Sequence, residues 1–302
     1  MHVSFVRAGS GVPLLVLAGV LWGTGGLLGQ ALAAATGLSA VAVAGYRLAV
    51  GGLLLCGHLV ATGRPVPRSR AAWMRVLVVG VLAAVFQAGY FVAVRTTSVS
   101  LATLVTIGVA PVAVLAVERL ARLRPVGLRS VLGAGAAVAG LVLLVGPAGD
   151  PGPGLLAAVT AGCAFALVTV LSARPVPGLE AAATIGPAFV VGGALLLPAA
   201  ALIPGGVGFA PSPQALLLLA LFAVVPTALA YTAYLAGLRT APAGVGAVLA
   251  LLEPLTAAVL AAVLLGDRIG LLGWGGAAVL CCAVVVAAGD GTRYRTAPDR
   301  TA

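Results

Sequence analysis

The chain lacks lysine: all 17 of its basic residues are arginine, against 7 acidic residues and 2 histidines. Charged residues make up 8% of the 302 positions, where soluble domains average ~25%, and hydrophobic residues make up 62%. Such a chain cannot coat a globule with polar groups, which excludes a soluble domain. The 4 cysteines, Cys56, Cys163, Cys281 and Cys282, fall inside apolar runs without metal-ligand spacing, which excludes a zinc site and a disulfide framework. His2 and His58 are isolated, there is no Walker loop or HExxH, and no buried Ser/His/Asp set can be assembled. An ATP-driven pump and a metal-dependent intramembrane enzyme are thereby disfavoured, and no catalytic role, metal or cofactor is expected. The net charge of +10 would suggest nucleic acid in a soluble protein. Here the arginines are dispersed, without a basic run or aromatic platform, so anionic lipid headgroups are the expected partners and nucleic acid is not.

What is present is apolar length. Ten runs of about 20 residues, enough for a helix to cross ~30 Å of hydrocarbon, centre near Val20, Gly51, Ala83, Gly108, Ala137, Cys163, Gly192, Leu221, Leu252 and Ala278. Arginine falls in alternate gaps. Arg7 precedes the first run; Arg64, Arg68, Arg70 and Arg75 follow the second, and Arg119, Arg122, Arg124 and Arg129 the fourth. Arg174 follows the sixth, Arg239 the eighth, and Arg293, Arg295 and Arg300 the tenth. Only Arg95 and Arg268 lie in odd gaps, and Arg47 lies inside a run. Because arginine stays where it need not cross the bilayer, the even gaps and both termini are expected to be cytoplasmic, in a plasma (inner) membrane. Arg7, the stretch from Leu14 and the triplet Ala31-Leu32-Ala33 imitate a cleaved signal peptide. Cleavage would remove a segment that has a counterpart in the second half, so this stretch is read as the first span.

The gap from Pro147 to Gly154 divides the runs into five and five. Across it, Ala18-Gly19 aligns with Ala161-Gly162, Pro111 with Pro254 and Gly133 with Gly276. Tyr90, Arg95 and Thr96 align with Tyr234, Arg239 and Thr240, and Val50-Gly51-Gly52 with Val191-Gly192-Gly193. Five is odd, so the second copy threads the membrane in the opposite sense. The expected fold is an all-α polytopic membrane protein of ten transmembrane helices in two inverted repeats. The expected divisions are 1–147 and 153–289, with a cytoplasmic tail over 290–302. Inverted repeats place a binding site near the midplane and permit alternating access.

The fifth and tenth runs are almost pure Ala, Gly, Val and Leu beyond their first turns, which assigns them to the periphery, facing lipid or a second subunit. The candidate cavity residues lie elsewhere: Trp22, Arg47, Gln87, Tyr90, Thr106, Phe165, Thr227, Tyr231, Tyr234 and Thr256. Thr24, Gln30, Thr103 and Thr169 are also polar. Thr227, Tyr231 and Tyr234 share a face at i, i+4, i+7 spacing. Small residues recur every fourth position at Ser98, Ala102, Thr106 and Ala110, and at Gly246, Ala250, Pro254, Ala258 and Ala262. The pairs Gly19/Gly23 and Gly25/Gly29 are read as packing glycines, since no strand precedes them and no complete GxGxxG occurs there.

Two ionisable residues lie well inside the hydrocarbon, where an ionised group costs about 2.5–3.5 kcal/mol on insertion scales. Glu253, near the middle of the ninth run, is a candidate for proton coupling; the alternative is a protonated, hydrogen-bonded structural glutamic acid. Pro254 beside it leaves the Ala250 carbonyl without its usual donor, and Pro111 and Pro254 are candidate helix kinks. Arg47, about two turns into the second run, is either a snorkelling residue or a partner of substrate or Glu253. Glu118 is expected to pair with Arg122 at i, i+4, and Asp267 to cap the last helix.

These motifs resemble the drug/metabolite transporter superfamily, in particular its EamA-type ten-helix members. Leu21-Trp22-Gly23 resembles the family's opening motif, and Tyr46-Arg47-Leu48 with the following Gly-Gly-Leu-Leu-Leu its arginine-bearing second helix. Leu252-Glu253-Pro254-Leu255 through Leu264-Leu265-Gly266-Asp267-Arg268 is similar to the second-half signature. The first half departs there, with Arg124 at the acidic position and Glu118 six residues earlier. The resemblance implies a central cavity lined by helices other than the fifth and tenth, and export of small metabolites, often amino acids. The expected protein is a monomeric or homodimeric secondary transporter of an amino-acid-like or drug-like solute. A passive facilitator or channel, and a lipid-acting intramembrane protein, are the competing readings.

Overall fold

The computed structural model describes residues 11–97, 99–123, 125–146, 154–174, 176–177, 179–264, 266 and 270–293. Arg7, Ser98, Arg124, Asp267, Arg268, Arg295 and Arg300, with most of the central gap, lie outside the described residues. Ten helices are long and apolar enough to cross a membrane. They are α1 (Val12–Thr36), α2 (Ala40–Ala61), α3 (Arg70–Thr96), α4 (Leu101–Leu120), α5 (Leu128–Val145), α6 (Gly154–Ser172), α7 (Ala181–Ala201), α8 (Pro213–Leu238), α9 (Ala243–Leu264) and α10 (Leu271–Gly289). The chain is a multi-pass membrane protein.

Helix starts are set by local chemistry. Ser39, Ser69 and Ser212 each accept from the backbone N–H three residues on, at 3.1–3.2 Å, and so cap α2, α3 and α8. Gly37, at φ 71°, ends α1 in the left-handed conformation open to glycine. Glu118 does not meet Arg122 along a helix: α4 ends at Leu120, and Arg122 sits beyond it at φ 50°. Glu118 is buried beside Gly244 instead.

The two halves pack about a pseudo-two-fold axis, and their glycines show it. A Cβ on Gly19 would lie 2.7 Å from the Leu249 oxygen and 2.8 Å from the Leu252 side chain. One on Gly162 would lie 2.5 Å from the Thr106 oxygen and 3.0 Å from the Val109 side chain. The pairs α1/α9 and α6/α4 are thus images of one another. Gly52 against Val190 and Gly193 against Ala49 repeat the relation between α2 and α7, as do Gly45 against Leu197 and Gly186 against Cys56. Only glycine permits such backbone contact, and without a hydrophobic drive between helices in lipid, close packing holds the bundle together.

In the α5/α10 pair Gly140 rests on Gly276 and Leu280, while Gly276 rests on Gly140 and Leu144. Both are therefore close-packing glycines, whereas nothing lies within 4 Å of a Cβ on Gly133, the residue that aligns with Gly276. α5 and α10 pack on each other at the edge, with Leu132, Leu271 and Leu272 exposed.

Cross-chain contacts respect the alternation of gaps. Arg64 pairs with Glu180 at 3.3 Å, and Arg75 donates to the carbonyls of Leu171 and, at 3.0 Å, Arg174. All of these lie on the even face. On the odd face the Tyr46 hydroxyl donates to the Val207 carbonyl at 2.6 Å.

Candidate functional site

Three helices are interrupted, and the interruptions meet. α1 is broken at Thr24, whose hydroxyl and N–H both turn back to the Leu21 carbonyl, at 2.7 and 3.2 Å. α8 widens into a π-helix over Val224–Leu229. The cause is Pro226, which cannot donate to the carbonyl of Phe222; the Thr227 hydroxyl does so instead, at 2.7 Å. α9 is split at Ala250 and Leu251, between Ala243–Leu249 and Leu252–Leu264. The Ala250 carbonyl, expected to be orphaned by Pro254, accepts the Glu253 N–H at 3.0 Å. At the equivalent Pro111, α4 runs on as an α-helix. Gly23 faces Thr256 and the Glu253 carbonyl, and Gly25 faces Pro226 and Phe222, so the breaks share one neighbourhood. Irregular backbone at membrane depth is tolerated where it lines a cavity or is buried in protein.

A cavity of about 300 Å³ opens there, lined by residues of α1, α2, α3, α4, α6, α8 and α9. It takes in Trp22, Arg47, Gln87, Tyr90, Thr106, Phe165, Tyr231 and Glu253 of the expected set. Thr227, Tyr234 and Thr256 are not among its lining residues. Thr227 is spent on the Pro226 break and packs on Gly51, Tyr234 is fully buried with its hydroxyl 2.9 Å from that of Thr169, and Thr256 packs on Gly23. Thr227 leaves the face it was expected to share with Tyr231 because it lies inside the π-helix, which ends at Leu229. Tyr231 and Tyr234 both follow on the α-helical stretch Ala230–Leu238, and of the two Tyr231 lines the cavity. Conversely, Gly25, Gly26 and Gly29 line the cavity, whereas Gly19 and Gly23 do pack α1 on α9. Sequence reasoning also passed over Gln30, Thr103, Phe86, Phe91 and Phe222 as site residues. The isolated Gln30 and the need of Arg47 for a neighbour were the available signals.

Chemically the walls are aromatic with a few polar groups. Trp22 meets Tyr231, Tyr234 and Phe165 at centroid distances of 4.9, 4.8 and 5.7 Å, and Phe86 meets Phe165 at 5.6 Å. The Arg47 guanidinium sits 4.9 Å over the Phe222 ring, a cation–π contact that lowers the cost of its depth. Arg47 does not ion-pair with Glu253; among the described residues the one ion pair is Arg64–Glu180. The Tyr90 hydroxyl lies 3.0 Å from that of Thr103, and Thr106 donates to the Ala158 carbonyl at 3.3 Å. Trp22 Nε1, Arg47 Nε and Gln87 Nε2 are buried with no acceptor among the described residues. The lining runs from Trp22 and Phe165 up to Ala33, Ala40 and Val94 at the odd-face ends of their helices. Toward the even face the bundle is shut by Tyr234–Thr169, Arg75 on the end of α6, and Arg64–Glu180.

A bundle of inverted repeats with broken helices around a half-membrane cavity defines a membrane transporter. The chain belongs to the EamA-like transporter family, which matches it twice, over residues 9–146 and 152–289. It is 28% identical to the uncharacterized transporter YwfM of Bacillus subtilis (strain 168) over 292 residues, 94% of this chain and 95% of that protein. A solved crystal structure, 19% identical, covers 95% of this chain and 99% of its own at a TM-score of 0.77, and so has the same fold.

Proposed function

We propose that this transporter is a secondary exporter of the plasma (inner) membrane, with cytoplasmic termini, that moves an amino-acid-like solute by alternating access. The observation that carries this reading is the convergence of three unpaired buried donors, on Trp22, Arg47 and Gln87, upon one cavity that also holds Glu253. A buried donor without an acceptor costs about 1–3 kcal/mol, which a ligand supplying the acceptor recovers. A carboxylate supplies two such oxygens. The ring-lined wall is suited to receive an apolar side chain. The cavity reaches the odd face, which the arginine distribution assigns to the outside, so this state would release an exported solute. Exchange of conformation between the two halves would produce the opposite state. Glu253 is the proposed coupling group, since a carboxyl at this depth can carry a proton between states at low cost in charge.

The test is counterflow in proteoliposomes with a panel of amino acids, each paired with the amine that lacks its carboxyl. Unlabelled amino acid inside should accelerate entry of labelled amino acid, and the amines should compete poorly. Flux without such acceleration would indicate a facilitator, and equal competition by the amines would remove the carboxylate from the reading.

A further inference from the structure

A second cavity, of about 30 Å³, lies on the even face where α3, α6, α7 and α8 converge. Its lining includes three arginines, Arg75, Arg174 and Arg239, together with Ser172 and Thr184, and no acidic residue. Arg75 and Arg174 are held together although their charges repel, because the Arg75 guanidinium donates to the Arg174 carbonyl at 3.0 Å and to that of Leu171. The neighbouring carboxylate, Glu180, is engaged by Arg64 at 3.3 Å. Ser172 is 9% exposed, and its hydroxyl has no partner among the described residues. Thr184 spends its hydroxyl on the Glu180 carbonyl at 2.9 Å. α7 starts at Ala181, on the wall of the cavity, and its first turn has no side-chain cap, unlike α2, α3 and α8. The orphaned hydroxyl, the uncapped helix start and the unneutralised arginines all face the same small volume. Each is satisfied by negative charge.

We infer that Arg75, Arg174, Arg239 and Ser172 form a site for a small anionic group, a chloride-sized ion or one phosphate oxygen of a lipid headgroup. The site bridges the helices that shut the bundle on the even face. Its occupant therefore stabilises the state whose main cavity opens to the odd face. The counterpart of Arg239 in the first half is Arg95, at the odd-face end of α3, while neither Arg75 nor Arg174 aligns with an arginine in the opposite half. The device acts on one face only. Topogenic arginines need only lie on the correct side of the membrane; they need not surround an unsatisfied hydroxyl.

The full-length protein would be purified in a neutral detergent and its thermal unfolding followed in sodium chloride against sodium gluconate at equal ionic strength. It would be followed again in nanodiscs of phosphatidylcholine with and without phosphatidylglycerol. The unfolding constant is expected to fall about elevenfold when the anion stands tenfold above its Kd. Arg239→Gln and Ser172→Ala should each lose most of that anion dependence. Should Arg239→Gln fold poorly, Ser172→Ala, which removes one hydroxyl, still decides. A saturable chloride effect identifies a free ion, and an effect confined to phosphatidylglycerol identifies the headgroup; both support the site. Indifference of the wild type to both, or an anion effect that both variants retain in full, overturns it.

Discussion

The Thr227 hydroxyl donates to the Phe222 carbonyl at 2.7 Å, taking the place of the backbone donor that Pro226 lacks. The same chain therefore carries a helix-breaking proline through the hydrocarbon without a bare carbonyl, and the break points Phe222 at the cavity beneath Arg47. Thr227→Val should lower stability by about 1–3 kcal/mol, the cost of an unsatisfied buried acceptor. Thr227→Ser, which keeps the hydroxyl, should lose little. Thermal unfolding of the three proteins in one detergent checks this, and equal stability of the valine and serine variants would refute it.

Glycine substitutions should sort by contact. Gly52→Ala places a methyl 2.6 Å from the Val190 nitrogen, and Gly140→Ala one 2.7 Å from the Leu280 nitrogen, both rigid backbone. Each should cost about 1–3 kcal/mol or abolish folded yield. Gly133→Ala and Gly26→Ala meet nothing within 4 Å and should fold normally. Detergent-solubilised monodisperse yield reads the difference, and a harmful Gly133→Ala with a harmless Gly140→Ala would overturn this packing of α5 on α10.

Cysteine accessibility should divide the aromatic residues. Cysteines replacing Trp22, Tyr90 and Tyr231 should react with a water-soluble thiol reagent from the odd face and be protected by substrate, because all three line the cavity. Tyr234→Cys should stay unreactive in this state, since Tyr234 is fully buried. The four native cysteines would first be replaced by serine or alanine. Equal reactivity at all four aromatic positions would mean that the floor of the cavity lies deeper than described.

Glu253→Gln should leave a folded protein, as the amide keeps an acceptor and adds donors. Proton-driven transport should fall by tenfold or more, about 1.4 kcal/mol of lost drive or beyond. Exchange should survive, because it moves no net proton. Wild-type driven flux at all pH values in this variant would end the coupling reading.

Reporter fusions after Arg70, Arg124 and Arg174 should read cytoplasmic, and fusions at Asp150 and Gly208 external. A cytoplasmic signal at Asp150 would contradict an odd number of spans per repeat.

The number of spans, their alternation and the inverted duplication were all decided by the sequence alone, because lipid imposes length, apolarity and charge placement residue by residue. A membrane helix must satisfy its own backbone, so its existence needs no partner. Glu253, Arg47, Trp22 and Gln87 were legible as exceptions to that rule, since a polar group in hydrocarbon announces itself. What the sequence left open was rotation and register. Gly140 rather than Gly133 meets Gly276 across the α5/α10 pair, a choice that their look-alike small residues leave open. Thr227 leaves the face it was expected to share with Tyr231 because Pro226 widens α8 into a π-helix there. Which polar residues share one cavity, and that Arg47 leans on Phe222 instead of Glu253, depended on packing between helices remote in sequence. Those contacts are fixed by van der Waals fit among glycines and aromatic rings, a property of pairs of surfaces that no single helix encodes.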